Sequence, residues 1–264
     1  MTYGVEVITF GVMISEKNRI KFTLSYDGTD FCGWQNQPNG ISVQQTIEES
    51  LSTILRNKIE IVGCGRTDTG VHAQQYFAHF DTDIALPENI LYNLNALLGK
   101  SIAIKKIHAV ADEWHARFDA NKRTYQYFIH QQKNPFQENY SFLFSNEINI
   151  ELMNDVAKYL IGTHDFSSFE KKGSDNKNSI CTVFESNFSV HNNNIVFRIS
   201  ANRFLRNMVR AITGSLLMVG TNKISKDAWI DIFQQQITMP LKVVVPAKGL
   251  FLWEVQYHTT EENK

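Results

Sequence analysis

The stretch "RIKFTLSY", residues 19–26, predicts the first strand of the protein and opens the pattern from which its fold follows. Ile20, Phe22, Leu24 and Tyr26 alternate with more polar residues. A period of two is typical of a half-buried strand, with one face on a core and one face open. The stretch therefore predicts a sheet that is covered on one side.

Working outward from this strand, the elements continue in the order β-α-β-β-α-β. The signals are a helix capped by Ser42, strand-like "IEIVGC" (59–64) and "QYFAHF" (75–80), a helix opened by Pro87, and strand-like "IAIKKIHAV" (102–110). In the second helix, the spacing predicts that Ile90, Leu94 and Leu97 face inward.

The second half of the chain repeats this order with different residues. It predicts a strand, a helix, a hairpin across Asn192–Asn194, a long helix from Arg203 to Gly220, a further helix from about Ser225, and a closing strand. We therefore predict an α+β fold of two pseudo-repeated β-α-β-β-α-β halves, each with a mainly antiparallel sheet flanked by helices. The predicted regions are an N-terminal extension (1–18) and two halves, 19–115 and 116–264.

The composition of the chain limits which partners it is expected to bind and in which compartment it is expected to work. The net charge of -1 gives no global attraction to nucleic acid, so any such binding requires a local basic surface. Three scattered cysteines fit a reducing compartment, and no histidine pattern suggests a metal site. The segment 1–18 lacks a basic start and contains Glu6, so it predicts neither a signal peptide nor a membrane span.

Charge is distributed unevenly along the chain. Between Ser186 and Lys226 there is no acidic residue, while several arginines are present, Arg198, Arg203, Arg206 and Arg210 among them. The stretch "HARFDANKRTYQYFIHQQK" (115–133) interleaves basic and aromatic residues. Such mixtures suit phosphates and stacked bases, although solvated faces and sheet-packing aromatics give the same pattern. Both features together favour RNA.

The motif "GCGRTDTGVHA" (63–73) allows several interpretations of Asp68. A phosphate-binding P-loop would need a Gly-Lys-Ser/Thr sequence, which is absent. An aspartic protease would need a second carboxylate from a symmetric partner, and Arg66 would oppose their shared proton. A lone ionised aspartate could act as nucleophile or charge stabiliser. An aspartate that only hydrogen-bonds the local backbone is the structural alternative.

The chain resembles the tRNA pseudouridine synthase A family, whose members carry G-R-T-D-A-G-V-H-A. Here Thr69 replaces the alanine, and no family counterpart is recognised for residues 1–18. Further blocks resemble the family in the same order, from about Arg19 to Tyr257: "YDGTDFCGWQ" (26–35), "LNALLG" (94–99), "HARFDANKRTYQY" (115–127), "GTHDFSSF" (162–169), "RFLRNMVRAITGSLL" (203–217) and "PAKGLFL" (246–252).

This resemblance implies isomerisation of uridine to pseudouridine at positions 38, 39 and 40 of the tRNA anticodon arm, in a catalytic cleft between the halves and without cofactor or metal. It implies that Asp68 is the catalytic carboxylate, that Tyr125 stacks on the target base and can assist proton removal at C5, and that Arg210 pairs with the aspartate. Arg66 is expected to contact the RNA backbone. On the basic C-terminal helix, Arg203 and Arg206 are expected to follow tRNA phosphates.

The resemblance also implies a cytoplasmic homodimer that binds tRNA across both subunits and does not associate with membranes. The rival class is a non-catalytic RNA-binding protein with two RRM-like halves. That class would need aromatic pairs on central strands in the RNP style, and the sequence contains no such motif.

Overall fold

The computed structural model describes residues 18–171, 173, 178–191, 194–237 and 244–258, and its fold class is the predicted α+β. The predicted element order of the first half is confirmed. Of the predicted extension, all but Asn18 lies outside the described residues. The first half comprises β1 (Asn18–Tyr26), α1 (Val43–Leu55), β2 (Val62–Gly63), β3 (His72–Thr82), α2 (Ile90–Leu97) and β4 (Ile102–Val110).

The second half contains the predicted strands, hairpin and helices, with short strands added. The tip of the hairpin, residues 192 and 193, lies outside the described residues. The elements are β5 (Ala120–His130), β6 (Phe142–Leu143), α3 (Ile150–Ala157), β7 (Gly162–Asp165), β8 (Ile180–His191), β9 (Asn194–Ala201), α4 (Met208–Gly220), α5 (Lys226–Gln234) and β10 (Leu250–Tyr257). The division at residue 115 stays a prediction.

The strands of both halves belong to one sheet, in the order β4-β1-β3-β10-β5-β9-β8-β7, with β2 beside β3 and β6 beside β5. The sequence predicted a sheet for each half. The halves are joined because the last strand, β10, enters the middle of the sheet, where it pairs parallel with β3 and antiparallel with β5. Most other pairs are antiparallel, as predicted.

Each half has its own apolar core, and the two cores meet at the centre of the sheet. In β1 the side chains alternate between buried and half-exposed, as its period of two predicts. In α4, by contrast, residues on nearly all sides are buried. Tyr125 on β5 packs against both clusters of buried residues, so it lies at the junction of the halves.

Helix α4 begins five residues later than predicted. The sequence placed its start at Arg203, whereas the first helical residue is Met208. Asn207 has a φ of 65°, a left-handed conformation that cannot continue into a right-handed helix. Arg203 and Arg206 therefore lie on the loop before α4, which corrects their predicted place on a basic helix.

The inward face of α2 is also shifted from the prediction. Ile90 and Leu94 are buried, but Leu97 is 51% exposed and Leu98 takes the buried position. Leu97 is the last residue of the helix, and at this end Leu98 rather than Leu97 packs into the core. Within the described ranges, no helix has both the length and the apolar character of a membrane span.

Candidate active site

Asp68 lies in the loop 64–71, which joins β2 to β3 and is called here the Asp68 loop. The residue before it is held by buried aromatic side chains. The Thr67 carbonyl accepts a hydrogen bond from the Trp34 backbone N–H at 3.2 Å, and the Thr67 hydroxyl lies 2.8 Å from that of Tyr26. Because Trp34 and Tyr26 are buried, they hold the backbone beside Asp68 in one position.

Glycine allows the loop after β1 to approach the Asp68 loop closely. Gly33 has a φ of +84°, and a Cβ there would lie 2.4 Å from the Thr67 carbonyl oxygen. Neither the conformation nor the contact would suit a larger residue. Gly70, with a φ of +76°, donates its N–H to the Phe31 carbonyl at 3.3 Å. Gly33 and Gly70 thus allow the two loops to pack closely.

The carboxylate of Asp68 faces the guanidinium of Arg210, from the first turn of α4. Arg210 Nη1 lies 3.8 Å from Asp68 Oδ2, and the two side chains are 18% and 30% exposed. Arg210 Nε also donates to the Val245 carbonyl at 2.8 Å, which fixes the orientation of its planar group. Among the described residues no group donates a hydrogen bond to this carboxylate. Its oxygens are therefore open to a ligand.

Tyr125 forms an aromatic wall at this site. It lies on β5 between Ile199 and Leu252 of the neighbouring strands. The ring of Phe204 meets it edge-on, with centroids 5.0 Å apart. Burial raises the pKa of the Tyr125 phenol, and the negative charge of Asp68 adds to the rise. The phenol therefore stays protonated at neutral pH.

The remaining predicted residues lie on two loops. Arg66 is exposed and lies two residues before Asp68 on the same loop. Arg206 is exposed and Arg203 is half-buried, both on the loop between β9 and α4. The structure thus brings Asp68 and Arg210 into contact, while the RNA-binding roles of the other arginines stay predictions.

Arg123 is a residue of the site that sequence reasoning misread. In the sequence it counted among the basic residues suited to phosphates. In the structure its two terminal nitrogens donate to four backbone carbonyls: Nη1 to Ala120 at 2.7 Å and Asn202 at 2.9 Å, and Nη2 to Arg117 at 2.7 Å and Cys64 at 3.1 Å. It therefore ties the Asp68 loop to the turn before β5 and to the loop after β9. The sequence gives no signal of these distant carbonyls.

A second polar region, called here the Asp27 cavity, has a volume of about 220 Å³. The carboxylate of Asp27 lies 3.1 Å from the buried His72 Nδ1 and accepts the Tyr140 hydroxyl at 2.8 Å. Thr29 donates to the same carboxylate through its hydroxyl at 2.5 Å and its N–H at 3.0 Å. Lys100 also lines the cavity. Asp68, Tyr125 and Arg210 do not line it.

Neither region has the composition of a metal centre. Within the described ranges, no three His, Cys, Asp or Glu side chains come together as a ligand set. The chemistry open to the Asp68 site is that of a single carboxylate between a guanidinium and an aromatic wall. Such a group can act on a bound molecule as a nucleophile, a base or a charge stabiliser.

Comparison with known proteins gives a consistent result. A family model described as tRNA pseudouridine synthase matches residues 23–119 and 156–258. A tRNA pseudouridine synthase A of Azobacteroides pseudotrichonymphae is 42% identical over 241 residues, which is 91% of this chain and 97% of the relative. The protein of that name from Bacillus subtilis is 40% identical over 244 residues, 90% of this chain and 99% of the relative.

Proposed function

This chain belongs to the tRNA pseudouridine synthase family, and from that membership we propose that it converts uridine to pseudouridine at positions 38, 39 and 40 of the tRNA anticodon arm. The observation that carries the proposal is the open carboxylate of Asp68, 3.8 Å from Arg210 and beside the aromatic wall of Tyr125. The chain is thus an enzyme of the isomerase class, and its substrate positions and residue roles are the parts to test.

The proposed reaction requires few chemical groups. The N1–C1′ bond of the nucleotide breaks, the uracil turns within the site, and C5 bonds to the same sugar carbon. The proton that leaves C5 is balanced by the proton that N1 gains. Because no atom or electron enters or leaves overall, we propose that no cofactor takes part.

In this proposal Asp68 is the catalytic residue. Its carboxylate attacks C6 of the base, attacks C1′, or removes a proton from the sugar. Each of these steps needs an oxygen that is not already occupied by hydrogen bonds, and the Asp68 carboxylate meets that condition among the described residues. The target must leave the base stack to reach it, which is simplest for a nucleotide in or next to a loop.

Tyr125 and Arg210 have supporting roles in the proposal. Tyr125 stacks on the target base and holds it after the bond to the sugar breaks. The raised pKa of its phenol favours this role over a role as the base that takes the C5 proton. Arg210 compensates the charge of Asp68 and orients it, because its Nε is fixed on the Val245 carbonyl.

RNA binding is assigned to the basic residues around the carboxylate. Arg66 lies on the Asp68 loop and contacts the backbone near the flipped nucleotide, while Arg203 and Arg206 follow phosphates from the loop before α4. This assignment is supported by the absence of acidic residues between Ser186 and Lys226.

We also propose a cytoplasmic homodimer in which each tRNA touches both subunits. Light scattering during gel filtration should then give twice the chain mass of 30.3 kDa. A particle of one chain mass that still modifies tRNA would contradict the dimer without affecting the assignment of the reaction. Fractionation of cells should place the protein in the cytoplasm.

Release of tritium from tRNA labelled at C5 of uridine tests the activity. Wild-type protein should release tritium from tRNA with uridine at positions 38, 39 and 40. Substrates in which cytidine replaces one, two or all three uridines divide the signal by position. Release should disappear when all three are replaced.

The outcomes separate the proposals. Release that persists after all three replacements would contradict the positions but not the reaction. Binding of tRNA without any release would favour the rival class, a non-catalytic RNA-binding protein.

A further inference from the structure

The apolar ring of Phe118 lies at the protein surface, although its contact with water is unfavourable. It is 74% exposed. The ring of His115 lies against it, with centroids 4.2 Å apart and an angle of 31° between the planes, and the Arg117 guanidinium carbon lies 5.8 Å from its centroid. One side of the ring is thus covered by an imidazole and the rest is open. Flat, open aromatic groups with a neighbouring cation are the usual surface for unpaired bases.

The turn 115–119 that carries this ring is tightly fixed. His115 Nδ1 accepts the backbone N–H groups of Arg117 at 3.1 Å and Phe118 at 3.2 Å, and the N–H of His115 donates to Asp119 Oδ2 at 2.7 Å. The side chains of the turn therefore fix its own backbone. A surface that is already ordered loses little entropy when a ligand binds.

Neighbouring elements hold the same turn from outside. The Ala116 N–H donates to His79 Nδ1 at 3.3 Å, and the Ala116 carbonyl accepts the Tyr257 hydroxyl at 2.7 Å. Burial lowers the pKa of His79 to about 4, so at neutral pH its nitrogen is free to accept. Because residues of two strands fix the turn, the exposed ring of Phe118 is held in one orientation.

Arg123 connects the turn that carries Phe118 to the loop that carries Asp68. A single nitrogen, Arg123 Nη2, donates to the carbonyls of Arg117 at 2.7 Å and Cys64 at 3.1 Å. Cys64 begins the Asp68 loop. The turn that carries Phe118 is therefore bonded to the same group as the loop that carries the carboxylate.

We propose that His115, Arg117 and Phe118 form a stacking surface for an unpaired RNA base near the nucleotide that enters the Asp68 site. The inference rests on the proposed function and extends it, because it assigns a place to a second nucleotide. An aromatic ring stacks on any base, so the surface suits loops of differing sequence. Arg117 adds a cation next to that base.

Steady-state kinetics of Phe118→Ala on an anticodon stem-loop RNA tests the inference. Loss of one base stack should raise KM roughly 5- to 150-fold while kcat changes less than about threefold. Phe118→Trp should keep the wild-type KM because it retains a flat ring, whereas Phe118→Leu should resemble the alanine variant. As a direct readout, 2-aminopurine is placed at each loop position in turn. At one position, wild-type protein should quench its fluorescence and Phe118→Ala should not.

Phe136 offers a matched control. It is 92% exposed and follows the far end of β5, whereas Phe118 precedes the near end. Phe136→Ala should leave KM, kcat and the fluorescence signal unchanged. A rise in KM in both variants would mean that any exposed ring contributes, and would overturn the inference.

Other outcomes would also overturn it. These are an unchanged KM in Phe118→Ala, a loss confined to kcat, or a change of particle mass that would make Phe118 a protein contact. The proposed function is tested separately, by tritium release from wild-type protein. If wild type releases tritium and Phe118→Ala keeps its KM, only the stacking surface fails.

Discussion

Two aspartates lie beside the central strands of this protein, and their surroundings differ. Asp27 directly follows β1, and its carboxylate accepts hydrogen bonds from the Thr29 hydroxyl, the Thr29 N–H and the Tyr140 hydroxyl. Asp68 precedes β3, and its carboxylate has only the 3.8 Å contact with Arg210 among the described residues. A carboxylate saturated with hydrogen bonds holds a structure together, while an open one can react. The comparison therefore distinguishes an aspartate with a structural role from one whose oxygens are available for the proposed reaction.

The largest effect is expected for Asp68→Asn. The change preserves size but removes the charge and the nucleophilic oxygen, so turnover should fall on the order of 10⁴-fold or more. Affinity for tRNA should stay near the wild-type value because other groups bind the RNA. Pseudouridine formation and tRNA binding are measured on the same preparation. Turnover at a tenth of the wild-type rate would contradict the catalytic role of Asp68.

Arg210→Ala should have the second largest effect. Without its guanidinium the Asp68 side chain loses its orienting partner, and a misplacement of about 1 Å costs on the order of 10²-fold in rate. Activity should fall more than tRNA affinity. Arg210→Lys should recover little, because a lysine cannot contact Asp68 and the Val245 carbonyl with one planar group. Near-normal turnover in the alanine variant would remove Arg210 from the mechanism.

Asp27→Asn tests the same comparison at the Asp27 cavity, where we expect a loss of stability and little loss of activity. An asparagine has only one carbonyl oxygen, so it cannot accept from Thr29 on one atom and from the Tyr140 hydroxyl on the other, and the free energy of unfolding should fall by about 1–3 kcal/mol. Because the Asp27 cavity does not include the Asp68 site, kcat of the folded variant should stay within about threefold of wild type. Urea unfolding and the tritium assay give the two values. A large kcat loss with unchanged stability would reverse the assignment.

The sequence contained the local parts of this picture. Alternation in "RIKFTLSY" predicted β1, Ser42 was predicted to cap α1, and a helix was predicted to begin near Ser225. Both serines accept a backbone N–H in the first turn of their helices. The motif around Asp68 and its resemblance to the family predicted the loop that carries the proposed catalytic residue. These inferences succeeded because strand period and helix caps depend on residues within a few positions of one another.

The rest depends on contacts between distant residues. Nothing near β10 in the sequence specifies its insertion between β3 and β5. Residues around Asn207 continue an apolar helical period, so the left-handed break before α4 was not visible. Arg123 donates to a carbonyl 59 positions earlier and another 79 positions later. Such pairings emerge only when the sheet brings the segments together.

The smallest expected effect concerns the side of the molecule on which RNA lies. Arg206 is exposed on the loop before α4, four residues before Arg210, and Lys100 is exposed at the Asp27 cavity. If tRNA phosphates follow the first region, Arg206→Ala should reduce the slope of log affinity against log salt by about 0.7–0.9, the effect of one lost phosphate contact. Lys100→Ala should leave the slope unchanged. Filter binding between about 50 and 200 mM salt measures both. The opposite pattern would place the RNA over the Asp27 cavity, away from the carboxylate that is proposed to act on it.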